Sequence, residues 1–191
     1  MKLYFDPRSR ATITKWMLDE CGADYEIVPI SLAAAEHKTP AFLAINPAGK
    51  LPALTDGDTK LYESAAIALY LGDKYPNSGM SFPVGSPERG RYLSLMVYST
   101  SQLEPAMGDY FAKVETAPSR GWNDWETTKQ VVESELGAGP YLFGERFTAC
   151  DVLIGSMFIW KRRFGGPPDS PALEAYVDRL LARPHAKAVA G

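Results

Sequence analysis

The segment Asn46–Leu54, NPAGKLPAL, contains a proline where the flanking residues favour a β-strand. Pro52 has no N–H to donate to a neighbouring strand, so this position is unusual for proline. A cis bond between Leu51 and Pro52 would account for it and would leave the Leu51 N–H and C=O outside the sheet. A peptide lying alongside could pair with both groups as an added strand. An edge-strand proline that binds no ligand is the alternative from these residues alone.

A second segment, LYESAAIALYL, places Glu63 and Ser64 where a strand becomes a helix. The Ser64 hydroxyl and the first free N–H groups of the helix can receive a carboxylate, helped by the helix dipole. Glu63 can pair with an ammonium group. Together they would recognise the head group of an α-amino acid. An ordinary helix cap beside a solvated acid is the alternative.

The third segment, YFDPRSRAT, is a turn between the first strand and a helix. Ser9 lies in this turn between Arg8 and Arg10. A thiol at this helix end would meet partial positive charge and a hydroxyl donor, and both lower a thiol pKa. The alternatives are a simple helix cap for Ser9 and a core strand residue for Tyr4.

The amino-terminal residues 1–77 alternate strand-like and helix-like segments, which predicts the order βαβ, a linking helix, then ββα. The expected strands are 2–5, 25–30, 51–54 and 60–63, and the expected helices are 11–21, 40–45 and 64–74. Residues 78–85 are rich in Pro, Gly and Ser and form the expected linker.

Residues 86–191 carry only helical signals and form a second expected domain. A long helix after Ser86 should keep one apolar face as far as Val114, with a kink at Pro105. A second helix should cover 122–136. Thr148 and Asp151 resemble a capping box before an almost wholly apolar core helix.

Composition argues against several partners. The chain has 20 basic and 23 acidic residues, a net charge of −3, which does not favour nucleic acid or an anionic membrane. No apolar run approaches the roughly 20 residues that cross a bilayer, and the amino terminus lacks a signal-peptide pattern. Two cysteines and two histidines, far apart, argue against a metal site or a disulfide scaffold. We therefore expect no metal and a reducing, cytoplasmic location.

With these segments in order, the chain resembles the cytosolic glutathione transferases over nearly its whole length. The most specific stretches are NPAGKLPAL, LYESAAIALYL and YLFGERFTACDVLIGS. The resemblance implies an α/β plus all-α fold, with a thioredoxin-like amino-terminal domain followed by an all-helical carboxy-terminal domain. It also implies a homodimer, glutathione as co-substrate and a role in detoxification.

Carried over residue by residue, the resemblance assigns five glutathione-binding residues. Pro52 matches the family's cis-proline, and Leu51 matches the residue whose backbone pairs with the cysteinyl part. Glu63 and Ser64 match the pair that grips the γ-glutamyl end, and Lys50 stands near the tripeptide.

The segment that should carry the catalytic residue matches the family less closely. Arg10 stands where the bacterial beta-class enzymes carry a cysteine, so a beta-type cysteine is absent. Serine-type classes place their serine at Arg8 when aligned through Gly22, with Ser9 the neighbour, and tyrosine-type classes align theirs with Tyr4. The candidates are therefore Ser9 and Tyr4, with a backbone N–H, another hydroxyl such as Thr12, or no side chain at all as further options.

The resulting functional hypothesis is attack of the glutathione thiolate on small hydrophobic electrophiles. Two alternatives stay open at this point. One is a glutathione-dependent peroxidase or thiol reductase, which a cysteine at the helix start would have favoured. The other is a non-catalytic glutathione-binding protein that acts through protein contacts.

Overall fold

A computed structural model describes residues 1–190, and Ala190 by its backbone only. Four strands form one sheet in the order β2-β1-β3-β4, in which β1 pairs parallel to β2 and antiparallel to β3. β3 and β4 also pair antiparallel. The bounds are β1 Lys2–Phe5, β2 Glu26–Pro29, β3 Ala53–Asp56 and β4 Thr59–Tyr62.

Three helices belong to this half of the chain: α1 Ala11–Glu20, α2 Pro40–Leu43 and α3 Ser64–Lys74. One face of the sheet joins α1 and α3 in the main core, where Leu3, Leu54 and Trp16 are fully buried. The other face packs on α2 through a small cluster that includes Phe42 and Leu51. The arrangement is the expected thioredoxin-like one.

The remainder of the described chain is helical, so the expected fold class is confirmed. Its helices are α4 Arg89–Tyr98, α5 Glu104–Ala112, α6 Trp125–Leu136, α7 Ala149–Arg163, α8 Pro171–Leu181 and α9 Lys187–Ala190. The apolar helix α7 is buried from Ala149 to Lys161 and joins the core of both halves. No helix within residues 1–190 has the length and apolar character needed to cross a bilayer.

The long helix predicted after Ser86 is interrupted earlier than expected. A π-helical turn over Ser99–Leu103 separates α4 from α5, just before Pro105. Pro105 has no N–H to donate one turn back, so the preceding turn widens instead of closing in the α-helical pattern. The helix also ends at Ala112, because Lys113 takes a left-handed conformation with φ 54°.

Strand β3 begins at Ala53, two residues later than predicted. Pro52 therefore precedes the strand and does not interrupt its hydrogen bonds. This strand is also an interior one, between β1 and β4, so the edge-strand alternative for Pro52 is wrong.

Candidate active site

The loop before Pro52 is fixed by hydrogen bonds from a buried side chain. Asn46, 1 % exposed, donates through Nδ2 to the Lys50 carbonyl at 2.7 Å and accepts from the Ala48 N–H at 3.0 Å. Lys38 Nζ donates to the Gly49 carbonyl at 2.8 Å. These contacts hold the backbone of residues 46–50 in one conformation and set the direction in which Leu51 enters β3.

The Leu51–Pro52 peptide bond is cis, as the sequence predicts. Within residues 1–190, neither the N–H nor the C=O of Leu51 has a hydrogen-bond partner. Both backbone groups are therefore free to pair with a bound peptide, which is the arrangement expected for an added strand.

Helix α3 begins with a strained residue beside a free hydroxyl. Glu63 has φ 70° and ψ 123°, a conformation that non-glycine residues rarely adopt outside functional sites. Its carbonyl accepts the first helical hydrogen bond, from the Ile67 N–H at 3.0 Å. Ser64 is 8 % exposed, and its Oγ has no partner in the described part of the chain. The unpaired N–H groups of this first turn and the hydroxyl can together receive an anion.

The turn that carries Ser9 is organised by Asp6. The Asp6 carboxylate accepts from Arg8 Nε at 3.2 Å and Nη2 at 3.1 Å, and from the Leu32 N–H at 3.0 Å. These bonds hold the pKa of Asp6 well below its usual range, the bond to the Arg8 side chain contributing most. Ser9 Oγ donates to the Asp6 carbonyl at 2.7 Å and accepts from the Ala11 N–H at 3.1 Å. In this structure Ser9 caps helix α1.

Tyr4 lies in β1 and packs on the α2 side of the sheet. Its ring packs edge-on against Phe42, with centroids 5.9 Å apart, and it borders a shallow hollow beside α2 that also includes Ile30. In the sheet Tyr4 is paired with Ala53, but its side chain packs on the α2 side and does not line the cavity that contains Pro52.

All five residues assigned to glutathione binding line one cavity of about 470 Å³, which we call the polar cavity. The helical half contributes the opposite wall through the region around Pro105. The lining residues are Arg10, Asn46, Lys50, Leu51, Pro52, Glu63, Ser64, Thr100, Glu104, Pro105 and Gly108.

An ion pair between Arg10 and Glu104 closes one side of the polar cavity. Burial raises the pKa of Glu104, the attraction of Arg10 opposes that shift, and the negative charge of Glu63 adds to it. Glu104 and Asn46 also line the cavity, although their motifs did not predict them as site residues. Their neighbours Pro105 and the NPAGK motif were the available signals, but only folding shows which side of the helix faces the cavity.

A second cavity of about 320 Å³, which we call the aromatic cavity, adjoins the first. Arg10 lines both, so the two cavities meet at the start of α1. Ser9 lines the second cavity. Its full lining is Pro7, Arg8, Ser9, Arg10, Thr12, Met107, Trp160, Arg163 and Phe164.

Only some side chains of the segment from α4 to α5 line these cavities. Met107 lines the aromatic cavity and Thr100 the polar one. Met96 is fully buried in the core. Tyr98 donates to the Thr128 carbonyl at 3.2 Å, and Tyr110 packs against Trp125.

Comparison with known proteins assigns this architecture to a family. Residues 1–73 match the family model described as glutathione S-transferase, N-terminal domain. The chain is 30 % identical to glutathione S-transferase 3 of Zea mays, over 96 % of this chain and 90 % of that one. The chain belongs to the glutathione S-transferase family.

Solved structures of glutathione S-transferases share the whole fold. A sphingomonad glutathione S-transferase complexed with glutathione is 32 % identical, with a TM-score of 0.79, over 100 % of this chain and 97 % of that one. BphK, a bacterial enzyme of the family, is 25 % identical, with a TM-score of 0.82, over 100 % and 98 %. The relatives and the fold together identify this protein as a transferase that uses glutathione.

Neither cysteine of this glutathione S-transferase lines the two cavities. Burial raises the pKa of Cys21 to about 11, and burial also raises the pKa of Cys150. Both thiols are therefore protonated at neutral pH and unsuited to nucleophilic attack. This disfavours a peroxidase or reductase that works through a cysteine of its own.

Proposed function

We propose that this transferase holds glutathione in the polar cavity and transfers its sulfur to small hydrophobic electrophiles in the aromatic cavity. The observation that carries the proposal is the meeting of the two cavities at Arg10, beside Ser9. Structures of related enzymes with bound glutathione support the choice of co-substrate. We propose domain bounds of 1–77 and 86–191, with a linker over 78–85.

The charges around the polar cavity complement those of glutathione. The γ-glutamyl carboxylate would accept hydrogen bonds from Ser64 Oγ and the first N–H groups of α3, and the γ-glutamyl ammonium would pair with Glu63. The cysteinyl backbone would pair with the free N–H and C=O of Leu51. Lys50, exposed at the rim, would attract the glycyl carboxylate. This orientation sends the cysteinyl sulfur towards the start of α1.

Ser9 is the proposed donor to the thiolate. To reach the sulfur, its hydroxyl would turn from the Asp6 carbonyl, while the Ala11 N–H still donates to Oγ. That N–H bond polarises the hydroxyl and makes it a better donor. The partial positive charge at the start of α1 and the nearby Arg10 guanidinium would stabilise the thiolate further.

The proposed reaction is a nucleophilic substitution or addition at an electrophilic carbon. The glutathione thiol first loses its proton to solvent, at a pKa lowered by the groups around Ser9. The sulfur then forms a bond to carbon, and in a substitution the leaving group departs with the bonding electron pair. Trp160 and Met107 supply apolar surface that would hold the electrophile beside the sulfur.

The pH dependence of conjugation tests the role of Ser9. We expect Ser9→Ala to slow conjugation of 1-chloro-2,4-dinitrobenzene at pH 6.5 by roughly tenfold or more and to raise the apparent pKa of the rate profile, because the thiolate loses a hydrogen-bond donor. Glutathione affinity should change little. Tyr4→Phe serves as the matched control, since it also removes one hydroxyl but lies outside both cavities.

Two results would contradict this assignment. If Ser9→Ala keeps the wild-type rate and profile, Ser9 is only a helix cap, and a slowed Tyr4→Phe would transfer the role to Tyr4. If the wild type binds glutathione by calorimetry but conjugates no electrophile, the protein is the non-catalytic binder that the sequence left open.

We also propose that the protein is a homodimer that serves detoxification in the cytoplasm. Leu93 and Val97 are 38 % and 55 % exposed and lie one turn apart on α4, so they share a face that a second subunit could cover. Sedimentation velocity at micromolar concentration would test the assembly, and a mass of a single chain would count against it.

A further inference from the structure

The aromatic cavity combines aromatic walls with an excess of positive charge. Trp160 and Phe164 form part of its wall, and three arginines line it: Arg8, Arg10 and Arg163. No aspartate or glutamate is among its lining residues in the described part of the chain. A cavity built only for neutral hydrophobic molecules would not need this charge, because desolvating a guanidinium beside an apolar ligand is unfavourable.

Two of the three arginines are already paired with carboxylates. Arg8 binds Asp6, and Arg10 binds Glu104. Arg163 has no carboxylate within 4 Å and no hydrogen-bond partner among residues 1–190. Its positive charge is therefore the one that a ligand in this cavity can neutralise.

The two basic residues before Arg163 on α7 are paired with carboxylates, so the position of Arg163 on the helix explains why it differs from them. Lys161 pairs with Asp169 at 2.7 Å, and Arg162 pairs with Asp178 at 2.7 Å. Both point to the loop and helix that follow α7 in the chain. Arg163, the last residue of α7, instead lines the cavity.

We infer that Arg163 selects electrophiles that carry a carboxylate or sulfonate on an aromatic ring. This inference rests on the proposed function and names the substrate class of the same cavity. The ring would lie against Trp160 and Phe164, and the anion would accept two parallel hydrogen bonds from the planar guanidinium, a geometry that favours arginine over lysine. The sulfur end of glutathione, beside Ser9, would lie across the cavity from the anion.

A matched pair of aryl chlorides tests the inference. One is neutral, 1-chloro-2,4-dinitrobenzene, and the other is anionic, 4-chloro-3,5-dinitrobenzoate. In both, the thiolate sulfur bonds to the carbon that bears chlorine, and chloride leaves with the electron pair. The measured quantity is the ratio of kcat/KM for the anionic to the neutral substrate, since differences in intrinsic reactivity cancel when variants are compared.

We expect Arg163→Gln to lower this ratio roughly fivefold to tenfold, because the anion loses a charge-assisted partner that is open to solvent. The neutral substrate should change by less than about twofold, and Arg163→Lys should restore part of the ratio. Added salt should lower the ratio in the wild type more than in Arg163→Gln. Arg120→Gln is the matched control: it removes the same charge from an exposed residue that lines neither cavity.

An unchanged ratio in Arg163→Gln would overturn the inference, and if both kcat/KM values fall equally, Arg163 serves only as part of the cavity wall. Binding of 3,5-dinitrobenzoate and 1,3-dinitrobenzene, measured by calorimetry, gives the same comparison without turnover. If the wild type conjugates neither chloride, the proposed function fails. The Arg163 inference is then tested by binding: Arg163→Gln should weaken the binding of 3,5-dinitrobenzoate and leave the binding of 1,3-dinitrobenzene unchanged.

Discussion

A buried hydroxyl residue stands at the start of both α3 and α7, Ser64 and Thr148, but only at α7 does a side chain pair with the polar groups around the helix start. The Asp151 carboxylate accepts from the Thr148 N–H at 2.8 Å, the Leu142 N–H at 2.9 Å and the Tyr176 hydroxyl at 3.1 Å. At α3, the Ser64 hydroxyl has no partner within residues 1–190, and no side chain caps the helix.

The difference separates a folding role from a binding role. A helix start buried in a core must have its polar groups paired, or folding pays the cost of desolvating them. A helix start that borders a cavity can leave them for a ligand. The capping box of Thr148 and Asp151 belongs to the first kind, and the Glu63–Ser64 pair has the geometry of the second.

The largest effect is expected where the α7 cap is removed. Asp151→Ala should lower the free energy of unfolding by about 3 kcal/mol at pH 7, because it leaves buried donors at Thr148, Leu142 and Tyr176 without an acceptor. Urea denaturation followed by circular dichroism measures this change. The affinity of the folded protein for glutathione should change by less than about twofold. If Asp151→Ala instead loses glutathione affinity and keeps its stability, the α7 cap does not have the folding role that distinguishes it from α3.

The pH dependence of stability sharpens the same contrast. Burial raises the pKa of Asp151 to about 6, above its ordinary value of 3.8. Between these values the folded state holds a proton that the unfolded state has released, so raising the pH from 4 to 6 should destabilise the protein by on the order of 2 kcal/mol. Asp151→Asn cannot titrate and should lack this component, while the other carboxylates cancel in the difference. If the free energies of unfolding of the wild type and of Asp151→Asn change in parallel between pH 4 and 6, the prediction is wrong.

A smaller effect is expected at α3, and it should appear in glutathione affinity and not in the free energy of unfolding. Ser64→Ala should weaken glutathione binding by about 1 to 2 kcal/mol, since a carboxylate loses one hydrogen bond but keeps the helix N–H groups. The free energy of unfolding should change by less than about 0.5 kcal/mol, because Ser64 Oγ bonds to no other group in the described chain. Titration calorimetry measures the change in glutathione affinity, and urea denaturation of the same variant measures the change in the free energy of unfolding. A large loss of stability would show that Ser64 has a folding role, as the α7 cap does.

Much of this fold could be predicted from short stretches of sequence because local patterns specify local elements. The bounds of α3, Ser64–Lys74, agree with the sequence prediction, and so does the capping box at Thr148 and Asp151. The cis bond before Pro52 was also predictable, because a proline among strand-forming residues lacks a donor for the sheet and a cis bond accounts for its position. The widened turn before Pro105 was placed less well, because a proline predicts an irregular helix without fixing how the helix adjusts.

What only the tertiary structure decided is which side chains share a cavity. The sequence alone assigned Leu51, Glu63 and Ser64 by their own motifs, and they do line one cavity. It treated Ser9 and Tyr4 as comparable hydroxyls, and the fold separates them: Ser9 faces the aromatic cavity, while Tyr4 points to the α2 side of the sheet. Glu104 and Arg163 reach the cavities from helices far away in sequence. Their positions depend on how the helical half packs on the sheet, and that packing is set by long-range burial, which no local pattern encodes.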